Sequence, residues 1–164
     1  MSSRDDPSKR AIEVRLRPVE QGDLPVLYGH QCDPLSNEMA VSNPRDADAF
    51  NAHWTKIIAD PAVVVRAVVA DGRMVGYVSC FKADETHYVG YWIARDHWGR
   101  GIATKALALL LEEVTTRPLY ARVARSNVAS LRVLERCGFS VVRFETCEAT
   151  ERHPACEEAI MILT

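Results

Sequence analysis

The sequence predicts a mixed α/β (α+β) fold, with a mostly antiparallel central sheet of about six to seven strands flanked by about four helices. A β-branched run at residues 63–70 is followed by Asp71-Gly72 and a second apolar run at residues 74–81. This pattern is typical of two strands joined by a two-residue hairpin turn. Helical and extended patterns then alternate to the end of the chain. The length of 164 residues suits one domain.

The first part of the chain predicts one strand and two helices. Apolar and polar residues alternate over residues 12–17, which indicates a half-buried strand that Pro18 ends. Helices are expected over residues 20–30 and 45–60, the second from apolar residues at helical spacing. Residues 34–44 have turn signals and are predicted to contain no helix.

The second part predicts alternating strands and helices after the hairpin. Residues 86–94 continue the antiparallel set, and the Ala- and Leu-rich segment 102–116 has no helix breaker. Its apolar stripe is predicted to be core: Leu107, Leu110, Leu111 and Val114. The remaining elements are a strand over 118–124, a helix from Ser126 or Asn127 to Arg136, and strands over 139–147 and 159–163. Strands 86–94 and 118–124 should be parallel, joined by a right-handed crossover.

The composition excludes several classes of protein. The net charge is -2, from 20 basic and 22 acidic residues, so no positive field favours nucleic acid or an anionic membrane. The polar segment Met1 to Arg10 is not a signal peptide, no apolar run is long enough to span a membrane, and a cytoplasmic location follows. Residues 1–10 are expected to be a disordered polar arm, and residues 11–164 a single domain.

The cysteines and histidines favour neither disulfides nor a metal site. The five cysteines have no CxxC spacing, and the five histidines form no HxxxH or HExxH pattern. We therefore expect reduced thiols and no metal.

A candidate anion site lies where a strand passes through a glycine-containing loop into a helix, at residues 92–105. The first N–H groups of a helix have no intrahelical partner and lie at the positive end of the helix dipole, so they suit a phosphate. A Walker loop does not fit, since Gly99 and Gly101 are two positions apart and Lys105 follows Thr104. A dinucleotide-binding turn does not fit either, because three strands are predicted to precede this one.

Two blocks of sequence resemble one family. The first comprises Tyr91-Trp92-Ile93 and Trp98-Gly99-Arg100-Gly101-Ile102-Ala103, and the second runs from Asn127 through Ser130 to Gly138-Phe139. Together they resemble the GNAT superfamily of N-acetyltransferases, and most closely its ribosomal-protein N-terminal acetyltransferase branch. Trp98 stands where most GNAT sequences have Gln or Arg, a departure that the branch shares.

The resemblance implies acetyl-CoA as co-substrate and no metal. Backbone amides near Ile93 and Ala94 would hold the cofactor arm and polarise the thioester, and Asn127 would hold the pantetheine. The pyrophosphate would lie on the loop and the first helical turn, with Arg100 adding a charge and Thr104 a hydroxyl. The loop residues implied are Trp98, Gly99, Arg100, Gly101, Ile102, Ala103 and Thr104.

The resemblance implies catalytic side chains less completely. Many relatives protonate the leaving thiolate with a tyrosine four residues before Gly138, but this chain has Leu134 there. Ser130 matches the serine proposed for this role in the branch, and it also binds the cofactor in this interpretation. The alternative for Ser130 is a capping residue in the first turn of a helix. Glu85 and His87 are the candidate bases, with solvated strand-end groups as the alternative.

The implied function is direct transfer of an acetyl group, within a ternary complex, to a primary amine on a protein N-terminus or a small molecule. The alternatives are a non-catalytic acetyl-CoA-binding sensor or scaffold, and a nucleotide-binding switch. A homodimer is suggested by the resemblance alone. Acidic residues expected near the acceptor would suit a cationic amine: Asp46, Asp48, Asp84, Glu85, Glu148 and Glu151.

Overall fold

Seven strands form one sheet in the computed structural model, which describes residues 11–164. The predicted polar arm, residues 1–10, lies outside the described residues. The strands are β1 (Val14–Pro18), β2 (Val64–Ala70), β3 (Arg73–Ala83), β4 (Thr86–Ile93), β5 (Leu119–Ala124), β6 (Ser140–Cys147) and β7 (Cys156–Leu163). Their order across the sheet is β1-β2-β3-β4-β5-β7-β6. The predicted mixed, mostly antiparallel sheet is confirmed.

The connection between β2 and β3 is the predicted hairpin. Asp71 and Gly72 both have positive φ, 48° and 81°, as a type I′ turn requires. The side chain of Asp71 also accepts a hydrogen bond from the N–H of Glu13 (3.0 Å). The turn therefore binds the segment just before β1, through Glu13, to the edge of the sheet.

Five α-helices lie in the described part of the chain. They are α1 (Leu24–Gln31), α2 (Pro34–Ala40), α3 (Ala47–Ala59), α4 (Ile102–Glu113) and α5 (Val128–Arg136). The prediction of turns without a helix at residues 34–44 is wrong, because α2 forms there. Asp33 caps this helix by accepting a hydrogen bond from the N–H of Ser36 (3.0 Å), and Pro34 occupies the first helical position. Both residues favour a helix start.

Helices cover both faces of the sheet. On one face α4 and the buried residue of α5 pack on the larger core, in which Leu107 and Leu110 are fully buried and Leu111 and Val114 also participate. On the other face Leu24 and Leu27 of α1 and Phe50 and Trp54 of α3 form a second cluster. The predicted core stripe is thus confirmed. The two faces of the central strands contact different helices.

The sheet opens between β4 and β5. These two strands are parallel, as predicted, and they pair at a single position, Tyr88 with Tyr120. Toward its carboxyl end β4 instead keeps its register with β3, where Gly76 pairs with Ile93. A Cβ atom on Gly76 would lie 2.0 Å from the carbonyl oxygen of Trp92, so only glycine allows this close approach. The carboxyl end of β4 therefore has one free edge.

Two structural features are absent from residues 11–164. No helix there has both the length and the apolar content to cross a membrane. No three His, Cys, Asp or Glu side chains there are grouped closely enough to hold a metal ion.

Candidate active site

A cavity of about 410 Å³ lies at the free edge of β4. Its walls come from the end of β4, the following loop, the first turn of α4, the start of α5 and the carboxyl half of α2. The residues that line it are Ser36, Met39, Ala40, Tyr91, Trp92, Ile93, His97, Trp98, Gly99, Gly101, Ile102, Ala103, Thr104, Asn127, Ala129, Ser130, Arg132, Val133 and Arg136. The structure therefore brings together the two sequence blocks that resemble the acetyltransferase family.

The first turn of α4 presents unpaired amides to this cavity. Gly101 is the N-cap residue, in a left-handed conformation (φ 75°), and no side chain caps the helix. The first intrahelical hydrogen bond runs from Lys105 N–H to the Gly101 carbonyl (3.1 Å). The amides of the three preceding residues have no such partner. An ideal Cβ on Gly99 or Gly101 would meet no atom within 4 Å, so the loop leaves this helix entrance open to an anion.

Of the two backbone amides predicted to be free at the end of β4, those of Ile93 and Ala94, only the Ile93 amide is free within residues 11–164. The N–H of Ala94 donates to the carbonyl of Val75 (2.8 Å), so the prediction that Ala94 contributes a free amide is wrong. Successive amides of a strand point to opposite sides, and the amide of Ile93 therefore points away from β3, toward the gap. The indole Nε1 of Trp98 donates to the carbonyl of Ile93 (2.8 Å). The Trp98 side chain thus fastens the loop to the strand.

Ser130 and Tyr91 form a hydrogen-bonded pair in the cavity wall. The hydroxyl oxygens of the two residues lie 2.5 Å apart, and the Tyr91 hydroxyl also donates to the Ser130 carbonyl (3.3 Å). Burial raises the pKa of Tyr91 to about 12, although the hydrogen bond between the two hydroxyl groups opposes the shift. Tyr91 therefore keeps its proton at neutral pH. Tyr91 belongs to the Tyr91-Trp92-Ile93 motif, but the sequence alone predicted no role for its hydroxyl group.

Asn127, not Ser130, caps α5. Its Oδ1 atom accepts a hydrogen bond from the N–H of Ser130 (3.2 Å). The capping role considered for Ser130 thus belongs to its neighbour, and the serine hydroxyl is left to Tyr91. The amide nitrogen of Asn127 keeps its hydrogens for another acceptor in the cavity that the residue lines.

Three predicted side chains do not line this cavity. Arg100 is exposed, and its guanidinium is 3.1 Å from Nδ1 of His97. Glu85 is 90% exposed and pairs with Lys82 (3.1 Å) at the turn before β4. His87 is at the same end of that strand, roughly 20 Å from Ile93 at about 3.3 Å per residue. The structure does not bring Glu85 and His87 to the cavity.

Two groups of lining residues were missed by sequence reasoning. Met39 and its neighbours on α2 were missed because that helix was not predicted, although Asp33-Pro34 signals its start. Arg132 and Arg136 on α5 also line the cavity. They are four residues apart, so helical periodicity places them on the same face as each other.

Comparison with known proteins identifies the family. The model of the acetyltransferase (GNAT) domain matches residues 13–140. The chain belongs to the GNAT acetyltransferase family. The resemblance carried by the two motif blocks is thereby confirmed at the level of the family.

Two known proteins match part of this chain in sequence. The "Probable N-acetyltransferase YjcK" of Bacillus subtilis (strain 168) is 36% identical over 78 residues, 43% of each chain. The "Putative ribosomal N-acetyltransferase YdaF" of the same organism is 31% identical over 110 residues, 60% of each chain. The matches thus span about half the length of these relatives. The second name agrees with the branch that the motifs resemble.

A solved structure of another protein shares the fold. The spermidine N-acetyltransferase of Vibrio cholerae, crystallised with CoA and spermine, has a TM-score of 0.79. The match covers 92% of this chain and 94% of that one at 20% identity. At this identity the likeness shows the fold alone.

Proposed function

We propose that this chain transfers the acetyl group of acetyl-CoA to a primary amine by direct attack within a ternary complex. The observation that carries the proposal is the cavity itself, which joins the unpaired amides opening α4 to the free edge of β4. The first feature suits a pyrophosphate and the second an extended arm that ends in a thioester. The family identification supports the same reaction.

The cofactor would be held mainly by backbone groups. The pyrophosphate accepts hydrogen bonds from the amides of Ile102 to Thr104, and the hydroxyl of Thr104 adds a donor. Arg132 and Arg136 line the cavity and supply positive charge, a role that we move from Arg100 to them. The pantetheine runs along β4, within reach of the amide nitrogen of Asn127.

The chemistry needs few side chains. A neutral amine attacks the thioester carbonyl, whose oxygen accepts a hydrogen bond from the N–H of Ile93 as negative charge develops. The C–S bond then breaks. The Ser130 hydroxyl donates a hydrogen bond to the departing sulfur, and Tyr91 orients it by donating to its oxygen. A thiol pKa of about 8.5 makes the thiolate a good leaving group. The proton of the amine passes to solvent.

An acetyl-transfer screen tests this proposal against the binding-module alternative. Purified protein is mixed with acetyl-CoA and a panel of peptide N-termini, polyamines, aminoglycosides and amino acids, and free thiol is measured. We expect amine-dependent thiol release with at least one acceptor class. Calorimetry with acetyl-CoA alone is the companion measurement. Tight binding without thiol release across the whole panel would instead identify a sensor or scaffold.

A further inference from the structure

A second cavity lies on the opposite face of β4, next to the first. It has a volume of about 50 Å³, and Trp92 lines both cavities. Side chains alternate between the faces of a strand, so Trp92 points away from the face that carries Tyr91 and Ile93. The residues around the second cavity are Leu27, Gln31, Asn37, Ser42, Arg45, Phe50, His53, Trp54, Tyr77, Trp92 and Arg152. Its volume suits one small group, since a water molecule takes about 30 Å³ of the liquid.

The cavity contains two half-buried arginines without a carboxylate partner. Four arginines in residues 11–164 are partly buried, and two of them, Arg17 and Arg66, pair with Asp23 and Glu113. Within the same residues, no carboxylate oxygen lies within 4.0 Å of Arg45 or Arg152. Burial and the charge of Arg152 lower the pKa of Arg45, and burial lowers that of Arg152. Two like charges are thus held together at a cost to folding.

Hydrogen bonds between distant segments hold the two arginines in place. The side chain of Gln31 donates to the Arg45 carbonyl (3.1 Å) and accepts from its N–H (3.0 Å). Asn43 N–H donates to the Arg152 carbonyl (2.7 Å), and the Arg152 guanidinium donates to the Asn43 carbonyl. The arginines are therefore positioned by the fold and are not free surface side chains.

The second cavity has several hydrogen-bond donors without a partner in the described part of the chain, and few free hydrogen-bond acceptors. Asn37 and Ser42 satisfy each other, since the Ser42 hydroxyl donates to Asn37 Oδ1 (3.0 Å) and Asn37 Nδ2 donates to two carbonyls. Burial lowers the pKa of His53 to about 4, so its neutral ring keeps one N–H. The Arg45 guanidinium donates to no group within residues 11–164. An anion in the cavity would accept hydrogen bonds from these donors.

We propose that the second cavity binds a carboxylate of the amine acceptor, held between Arg45 and Arg152. Guanidinium groups bind carboxylates through paired, charge-assisted hydrogen bonds. A molecule with its carboxylate in this cavity reaches past Trp92 to place its amine at the end of β4. None of the six acidic residues expected to attract a cationic acceptor lines either cavity. This inference rests on the proposed acetyl transfer for the identity of the ligand.

Matched acceptor pairs test the inference. Amino acids are compared with their carboxamides, and Asp- or Glu-containing dipeptides with their Asn or Gln counterparts. We expect kcat/KM for the carboxylate member to exceed that of its partner by about tenfold or more. Arg45→Met and the Arg45→Met/Arg152→Met double variant should remove this preference by lowering kcat/KM for the carboxylate member toward that of its partner. Arg45→Lys keeps a positive charge, so it should retain part of the carboxylate preference that Arg45→Met removes.

Two controls keep the outcome interpretable. Arg73→Met removes an exposed arginine outside both cavities and should keep the preference. Circular dichroism confirms that each variant folds. If wild-type protein prefers the carboxamide, shows no preference, or keeps its preference in the double variant, the inference is overturned.

A binding measurement separates this inference from the proposed function. Trp54 and Trp92 line the cavity, so their fluorescence is titrated with the same ligand pairs in the presence of CoA. If no acceptor releases thiol, acetyl transfer fails. Carboxylate binding that Arg45→Met weakens about tenfold would still support the site. Equal binding of both members of each pair would overturn it.

Discussion

At the scale of single residues, Ser130 shows how a neighbour decides the role of a side chain. Sequence reasoning left two roles open for it, a helix cap or a donor to the leaving sulfur. Asn127 occupies the capping position, and the hydroxyl of Ser130 meets that of Tyr91 instead. These two hydroxyls come from residues 39 positions apart. No local sequence pattern links them.

Substitution of Ser130 by alanine should slow the chemistry more than it weakens cofactor binding. The variant loses the hydrogen bond to the departing sulfur, so we expect kcat and kcat/KM to fall together, by about tenfold to a thousandfold. The dissociation constant of acetyl-CoA, measured by calorimetry, should change much less than kcat. Ser126→Ala is the control, because Ser126 is exposed just before α5. Wild-type turnover by Ser130→Ala would show that the hydroxyl is only structural.

At the scale of elements, the entrance of α4 is the feature on which the site depends. Sequence reasoning placed the start of this helix correctly at Ile102, because glycines before an Ala- and Leu-rich segment are a local signal. The amide of Ala94 was assigned wrongly, since pairing with β3 decides which amides of β4 are free. Cross-strand register depends on a partner strand and cannot be obtained from one segment alone.

Substitution of Gly101 by glutamate should abolish acetyl-CoA binding while the fold persists. The new side chain would project from the N-cap into the open space of the cavity and bring a negative charge to the phosphate site. The positive φ costs about 1 to 2 kcal/mol of folding stability. Calorimetry measures binding, and circular dichroism checks the fold.

A matched variant separates strain from loss of the site. Gly72 also has positive φ (81°), has open space around its Cβ position and lies in the β2–β3 turn. Gly72→Glu should therefore show the same loss of stability with unchanged acetyl-CoA binding. Undiminished binding by a folded Gly101→Glu variant would contradict the site.

At the scale of the whole molecule, two cavities lie next to each other beside β4. The larger cavity, proposed for the cofactor, is on the α4–α5 face, and the arginine-lined cavity is on the α1–α3 face. Trp92 of β4 and residues of α2 line both cavities, so in the proposed reaction an amine held in one cavity lies next to a thioester held in the other. A cytoplasmic location and a homodimer stay predictions.

The buried, neutral state of His53 should make the stability of the whole protein depend on pH. The pKa of His53 is lowered to about 4 in the folded state, whereas an unfolded histidine titrates near about 6.5. As pH falls, the unfolded chain binds the proton first. The contribution of His53 to the unfolding free energy is therefore complete above about pH 6.5, and it decreases as the pH falls from about 6.5 to about 4.

Urea denaturation between pH 4 and 8 measures this effect. The His53→Gln variant should lose the decrease in unfolding free energy over that interval, relative to wild type. His87→Gln, at the far end of β4, is the control and should keep it. If the His53→Gln and wild-type curves stay parallel throughout, the histidine is not held neutral by the fold.

The sequence by itself determined the features whose causes are local. The Asp71-Gly72 hairpin, the α4 helix with its open entrance and the two family motifs all depend on residues within one segment. The helix α2 was missed although its Asp33-Pro34 start is local, since the turn signals around it were given more weight. Tertiary structure decided the free amide of Ile93, the Tyr91–Ser130 pair and the meeting of Arg45 with Arg152. Each of these needs two distant segments to come together, and only the packing of the whole chain fixes such distances.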